Sequence, residues 1–369
     1  MGAVVRRAVR NLAAVVGVGL VAACGALPGS HGEDSTTSSD AAPPITSVST
    51  LDDPKAYEGS STASLGDTTI EPVADDPKPN LPVTVTDTQG TKVTIKDTDR
   101  ILALDIYGSL SQTVFELGLG DNVVGRDTST AFDEASDLPL VTQNGHDLNA
   151  EAILELSPSV IITDTSLGPW DVMMQMRDAG IPVVVVDSKR GIDNVGSLTM
   201  EVARALGVAK VGRKLAKRTE SDVKKATAAI KQAAPNDVQS KLRMVFLYVR
   251  GQAGIYYMFG KTSGADSLIG ALGGYDVSRE INWSGMKPVT DEAIVAAQPD
   301  VILMMTKGLE SAGGVDGLLE RLPALANTPA GQKRRIVDMD DSQILSYGPR
   351  TAEVINALAV AVYAPEAVS

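Results

Sequence analysis

A short pattern occurs twice in this 369-residue chain, once on each side of a long helical stretch, and it limits the possible folds more than any other feature. The first copy is Asn149-Ala150-Glu151-Ala152-Ile153, followed by Pro158 and the apolar run Val160-Ile161-Ile162. The second is Thr290-Asp291-Glu292-Ala293-Ile294, followed by Pro299 and Val301-Ile302-Leu303. In both copies the proline stands seven residues after the glutamate. The leading Asn or Thr can cap a helix through its side-chain oxygen, and the run after the proline reads as a strand. Between the copies, Val211, Leu215, Val223, Ala226 and Ile230 recur at multiples of 3.6 within 208–234, with charges on the other face and no proline. That is an amphipathic helix. It would reach about 40 Å, which suits a strut better than a simple crossover. Pro235 and Asn236 stop it. The expected architecture is α/β: two Rossmann-like lobes with parallel sheets, joined by one long linker helix.

The remaining elements fit this plan. Val83, Val85, Gln89-Gly90, Val93 and Ile95 alternate around a turn and predict a hairpin. Strands follow at Ile101 to Leu104, Val123-Val124, Val160 to Ile162 and Val183 to Val186, separated by helices from Ser109 to Gly118, from Asn149 and around Val172 to Ala179. Strands alternating with helices predict a parallel sheet with covered faces. The second lobe opens on Met244 to Gly251, continues with a helix from Ser263 to Leu272 and a strand at Ile336-Val337, and closes with a helix from about Pro349 to Tyr363. The predicted boundaries are 83–207 for the first lobe, 208–234 for the linker and 235–369 for the second lobe.

The formal net charge of −13 argues against nucleic acid as a partner, because phosphate binding needs a basic face. Residues 1–23 carry Arg6, Arg7 and Arg10, then an apolar run from Leu12 to Ala23 that is too short to span a membrane comfortably, in the layout of a secretion signal. Cys24, the only cysteine, follows. Residues 25–82 are rich in Ser, Thr, Asp, Pro and Gly without an apolar period, so 24–82 is expected to be a disordered tether of roughly 40 Å end to end. His31 lies within it as a solvated residue.

Enzyme motifs are nearly absent. Gly254 to Thr262 resembles a phosphate loop but has one residue too many, and bulky Ile, Tyr, Tyr, Met and Phe fill the gap. Gly118-Leu119-Gly120 lacks the third glycine of a dinucleotide site. There is no Gly-x-Ser-x-Gly, and His146 is the only histidine outside the tether, with no second one to build a zinc or Ser-His site, so an enzyme is unsupported though not excluded. His146 stands in a loop just ahead of the helix capped by Asn149, where α/β lobes bind ligands. Tyr248 and Arg250, two apart on a strand, share a face. A guanidinium beside a phenol favours the phenolate, a ligand suited to ferric iron, and both Tyr and His are known heme ligands. An edge pair for Tyr248 and Arg250, and a plain loop role for His146, are the structural alternatives.

The residues Val21-Ala22-Ala23-Cys24 resemble the lipobox of bacterial lipoproteins, which implies a lipidated Cys24 and a chain anchored on the outer face of the cell membrane. Gly145-His146-Asp147-Leu148, Tyr248-Val249-Arg250-Gly251, Gly264 to Ile269 with Gly273-Gly274, and Tyr347-Gly348-Pro349-Arg350-Thr351 together resemble the hemin-binding lipoproteins of actinobacterial heme ABC transporters. The resemblance implies that His146 and Tyr248 are axial ligands from opposite lobes and that Arg250 hydrogen-bonds and polarises Tyr248. It also implies that heme is the transported ligand and an ABC permease the partner, with other surface heme-binding proteins as candidate donors. Glu151 and Glu292 fall in helix first turns, where the dipole favours a carboxylate whatever the function. Their matching places resemble the paired acids that dock such proteins on a permease. Met286, Met304 and Met305 are candidate pocket contacts, core packing being the expectation for the last two. A ferric siderophore or cobalamin carrier of the same fold, and less favourably a metal-dependent surface enzyme, are the alternative readings.

Overall fold

The computed structural model describes residues 41–66 and 69–368. The leader, Cys24 and His31 lie outside the described residues. Among those described, no helix is long and apolar enough to cross a membrane.

The chain enters through β1 (Ser61–Ala63), then forms the expected hairpin from β2 (Val83–Thr86) and β3 (Lys92–Ile95), with Val85 opposite Val93. The first lobe is built on β4 (Ile101–Leu104), α1 (Ser109–Val114), the two-residue strands β5 (Thr142–Gln143) and β6 (Asp147–Leu148), α2 (Ala150–Glu155), β7 (Val160–Thr163), α3 (Trp170–Asp178), β8 (Val183–Val185) and α4 (Val195–Ala205). Its three-stranded sheet is parallel in the order β4-β7-β8. Every residue of those strands is buried, because helices or loops cover both faces. Ile101, Ala103 and Ile162 face one apolar cluster, while Leu102, Leu104 and Ile161 face the other. The strand expected at Val123-Val124 is reduced to a single bridge between Val123 and Ile101.

The linker is α5 (Ala209–Ala233). Its Leu215 packs into the first-lobe core and its Ile230 into the second-lobe core, with half-buried Val211 and Ala226 beside them. One apolar stripe therefore serves two lobes, as the spacing predicts.

The second lobe contains β9 (Arg243–Arg250), β10 (Ile255–Phe259), α6 (Ala265–Ala271), β11 (Tyr275–Asp276), β12 (Met286–Pro288), α7 (Asp291–Ala297) and β13 (Val301–Met305). Four short helices follow: α8 (Thr306–Ala312), α9 (Gly314–Arg321), α10 (Pro323–Ala326) and α11 (Pro329–Gln332). Then come β14 (Ile336–Met339) and α12 (Thr351–Tyr363). The sheet order is β1-β14-β13-β9-β10-β12, with β11 beside the start of β9. This sheet is mixed, which corrects the expectation of parallel sheets in both lobes: β10 runs antiparallel to β9 and to β12. The cause is local. Gly254, in the left-handed region at φ 65°, ends a turn too short for a crossover helix, so the chain can only return as a hairpin. The bulky run Ile255 to Phe259, which disqualified the phosphate loop, is the returning strand.

Residues 41–66 and 69–82 also depart from expectation. They are not a free tether but a strap over both lobes. Ile45, Ala63 and Leu65 enter the second-lobe core beside α12, and Ile70 and Val73 enter the first-lobe core. β1 adds a parallel edge strand to β14, Ser61 opposite Val337. Arg335, 1% exposed, binds the Ser61 hydroxyl at 3.2 Å and the carbonyls of Ala361 and Val362 at 3.2 and 2.6 Å. The strap's composition shows that it could not fold alone; single apolar residues can still dock on a core that others have built.

Candidate functional site

The two copies of the repeated pattern form matching helix starts. Asn149 Oδ1 accepts from the Ala152 amide at 3.1 Å and Thr290 Oγ1 from the Ala293 amide at 3.2 Å. Glu151 and Glu292 each stand in the first turn that follows, both exposed to solvent.

His146 sits in the tight turn between β5 and β6. Asn144 and Gly145 take φ values of 50° and 95°, a reversal that favours Asn and Gly, and place the imidazole at the tip. The Thr128 hydroxyl donates to the Gly145 carbonyl at 2.6 Å, tying the turn to the segment beyond the carboxyl end of β4. His146 is half-buried and its Nδ1 has no protein partner. Burial holds its pKa below the ordinary 6.5, and the nearby Arg250 guanidinium lowers it further against Asp147 and Asp341. The ring is therefore neutral at neutral pH, so one of its two nitrogens carries a lone pair.

Arg250 and Asp341 belong to the second lobe, so their field at His146 puts groups of the two lobes within electrostatic reach of each other. Tyr248 and Arg250 lie on one face of β9, as spacing two predicts. Tyr248 continues the face of Met244 and Phe246 past the edge of the core, half-exposed, and stacks on Phe259 with centroids 6.2 Å apart. The Arg250 guanidinium lies over the Tyr248 ring, 4.5 Å from its centroid. Its hydrogen bonds run to the Val249 carbonyl at 2.9 Å and Asp341 Oδ2 at 3.0 Å. Arg250 thus meets Tyr248 through the ring face and not through the expected hydrogen bond, while Asp341 and the Val249 carbonyl accept from its two terminal nitrogens. A cation over a phenol face is favourable and also holds the ring in place. Asp341 gives no signal in the sequence; it reaches Arg250 only because β14 lies two strands from β9.

Of the methionines, Met286 is exposed at 55%, Met304 is fully buried in the core and Met305 packs at the core's edge. Among the described residues no group of three His, Cys, Asp or Glu side chains could hold a bare metal ion.

Sequence reasoning also missed a buried knot beyond the carboxyl ends of β4, β7 and β8. Arg190 pairs with Asp105 at 3.1 Å and with Asp164, and stacks on Tyr107 at 4.8 Å. Asp127 accepts from the Asp105 amide at 3.0 Å. Burial, reinforced by Asp105, pushes Asp127 up to about 7. Burial and Asp105 push Asp164 up to about 6, Arg190 opposing. From this knot the chain reaches the other lobe, where the Ile192 amide donates to Ser267 Oγ at 2.9 Å.

Residues 106–343 match the family model described as periplasmic binding protein, and the chain belongs to that family. Among solved structures it is similar to the heme binding protein HmuT, at 40% identity, covering 84% of this chain and 99% of that one with a TM-score of 0.79. That protein has also been solved with a histidine, a tyrosine or an arginine replaced by alanine. Among curated proteins it is similar to an uncharacterized ABC transporter substrate-binding lipoprotein, YvrC of Bacillus subtilis, at 26% identity over 77% of this chain and 86% of the relative. It is also similar to a cobalamin-binding protein of Halobacterium salinarum, at 25% identity over 74% and 72%.

Proposed function

We propose that this chain is the heme-binding lipoprotein of an ABC importer, holding ferric heme between its lobes and delivering it to a permease without chemical change. The observation that carries the reading is the proximity of groups from the two lobes: a neutral, half-buried imidazole from the first, and from the second a tyrosine under a guanidinium whose field reaches that imidazole. A porphyrin supplies four iron ligands, so two protein side chains from opposite walls complete the set. His146 and Tyr248 would be those ligands, with Arg250 holding the phenol. The exposed Glu151 and Glu292, in equivalent turns of the two lobes, would meet arginines of the permease. Cys24 would carry the lipid anchor on the extracytoplasmic face, and surface heme-binding proteins would serve as donors.

Absorption spectra during hemin titration test this. Saturable one-to-one binding, with spectra shifted in Tyr248→Ala and in His146→Ala, is expected; spectra identical to wild type in both variants would reject the ligand assignment. Cobalamin is the second reading, favoured by the Halobacterium relative. Cobalamin that competes for hemin with equal affinity would move the assignment to a broader tetrapyrrole carrier.

A further inference from the structure

The Arg250 guanidinium is held by parts of the second lobe that lie far apart in sequence. Asp341, in the loop that follows β14, accepts from Arg250 Nη2 at 3.0 Å through Oδ2. Its other oxygen, Oδ1, accepts from the Lys307 amide in the first turn of α8 at 3.0 Å. The carboxylate is therefore fixed to the backbone by one oxygen and to the arginine by the other. The Val249 carbonyl accepts from Nη1 at 2.9 Å. Gly308, buried in α8, completes the setting: an added Cβ would come within 3.0 Å of the Val249 carbonyl and 3.5 Å of Arg250 Nη1. Any side chain there would press on the carbonyl that anchors the guanidinium. The sheet brings these groups together, because β13 lies between β9 and β14 and runs directly into α8.

Stability does not account for this arrangement. The side chains of Arg250 and Asp341 are 32% and 17% exposed, and an ion pair so open to solvent adds little to folding. Arginine also has much rotamer freedom to lose, so keeping it in one place takes more than one anchor. What the anchors achieve is position. The guanidinium rests over the Tyr248 ring, 4.5 Å from its centroid, while its hydrogen bonds go to Asp341 and the Val249 carbonyl, which leaves the phenol oxygen open to a ligand.

We propose that Asp341 is a positioning residue for the ligand site: anchored on the Lys307 amide, it clamps Arg250 on the face of Tyr248 and thereby sets how that tyrosine binds iron. The effect on iron rests on the heme reading; the clamp itself does not. Groups that orient a metal ligand from behind change metal affinity by about 10–100-fold.

The test uses the full chain with hemin and the variants Arg250→Ala, Asp341→Asn, both together, and Gly308→Ala. Asp341→Asn keeps an acceptor for the Lys307 amide and removes the charge. It should weaken hemin binding about tenfold and shift the absorption spectrum of the bound heme in the same direction as Arg250→Ala. In the Arg250→Ala background it should change neither, because the clamp has nothing left to hold. A role in folding alone would lower the Tm and leave the spectrum where it was, which would overturn the proposal. Gly308→Ala disturbs the guanidinium through the Val249 carbonyl and should shift the spectrum the same way; it takes the place of Asp341→Asn if that variant is unstable. Wild-type affinity and spectrum in Asp341→Asn would overturn the clamp. So would an undiminished loss in the Arg250→Ala background, since Asp341 would then act by a route of its own, such as its field at His146. Wild type that binds no hemin refutes the heme reading, and the ligand-free protein then decides the clamp by nuclear magnetic resonance. The Tyr248 ring signal, identified by its loss in Tyr248→Phe, should move in Asp341→Asn as it does in Arg250→Ala, and a signal that Asp341→Asn leaves in place would overturn the proposal.

Discussion

The two walls of the cleft hold their key side chains by different means. Tyr248 stands in an eight-residue strand, paired with Tyr257 on β10, stacked on Phe259 and covered by Arg250. His146 stands on a turn between two-residue strands, tied at Gly145 by one hydroxyl. A side chain fixed by a sheet is presented in one geometry, whereas one on a turn can follow a ligand that arrives. The second lobe therefore holds Tyr248 in a fixed setting, and the first lobe holds His146 on a more adaptable turn.

The largest expected effect separates docking from binding. Glu151→Lys together with Glu292→Lys should abolish uptake by whole cells while hemin affinity stays within about twofold, since exposed charges far from the ligand add little to affinity. Uptake at the wild-type rate would remove the docking role. Single variants should each retain partial uptake, and unequal losses would show which lobe the partner grips harder.

Next is the contrast between the walls. Loss of groups that merely support a metal ligand costs about 10–100-fold in affinity, so loss of Tyr248, the proposed ligand on the strand, in Tyr248→Ala should cost at least about 100-fold. His146→Ala should cost only about tenfold, since a small molecule can replace an imidazole offered from a turn. Fluorescence quenching with hemin measures both, and equal losses would erase the distinction.

Much of the pH dependence should come from the buried knot of the first lobe, with burial shifting Asp338 of the second lobe the same way. Asp127 at about 7 and Asp164 at about 6 hold their protons to higher pH in the folded chain than in the unfolded one. Folding then takes up protons, so stability is greatest on the acid side and falls as pH rises through those values. One such group titrating between pH 6 and 8 removes about 1 kcal/mol. Urea unfolding at the two pH values reads this directly; a flat profile would mean that Arg190 holds the carboxylates ionised.

The smallest effect compares the two caps. Asn149→Ala and Thr290→Ala should each cost about 1 kcal/mol. Because Asn149 immediately follows β6, its loss should also weaken hemin binding, whereas loss of Thr290 should not.

Much of this molecule was legible in the sequence wherever period and spacing act locally. Leu215 and Ile230 on one stripe gave the strut, Asn149 and Thr290 gave the caps, and Tyr248 and Arg250 shared a face because strands alternate. The strap was not legible, since Ile45, Leu65, Ile70 and Val73 have no period and acquire partners only from a finished core. The antiparallel turn at Gly254 was overlooked because a glycine-bounded run of large residues reads as a failed loop as easily as a hairpin.

The sequence alone determined the units: two capped helix–strand repeats, a helix long enough to join them, and single candidate ligands on either side. Those features rest on neighbours within a few residues, and backbone geometry enforces them wherever the segment lies. Tertiary structure decided what faces what. That Asp341 pairs with Arg250, that Arg250 lies over a phenol within electrostatic reach of His146, and that Arg190 is knotted between Asp105 and Asp164 are outcomes of packing. Such contacts span tens of residues or more, and the free energy that sets them comes from burying two cores against one helix, which no local pattern encodes.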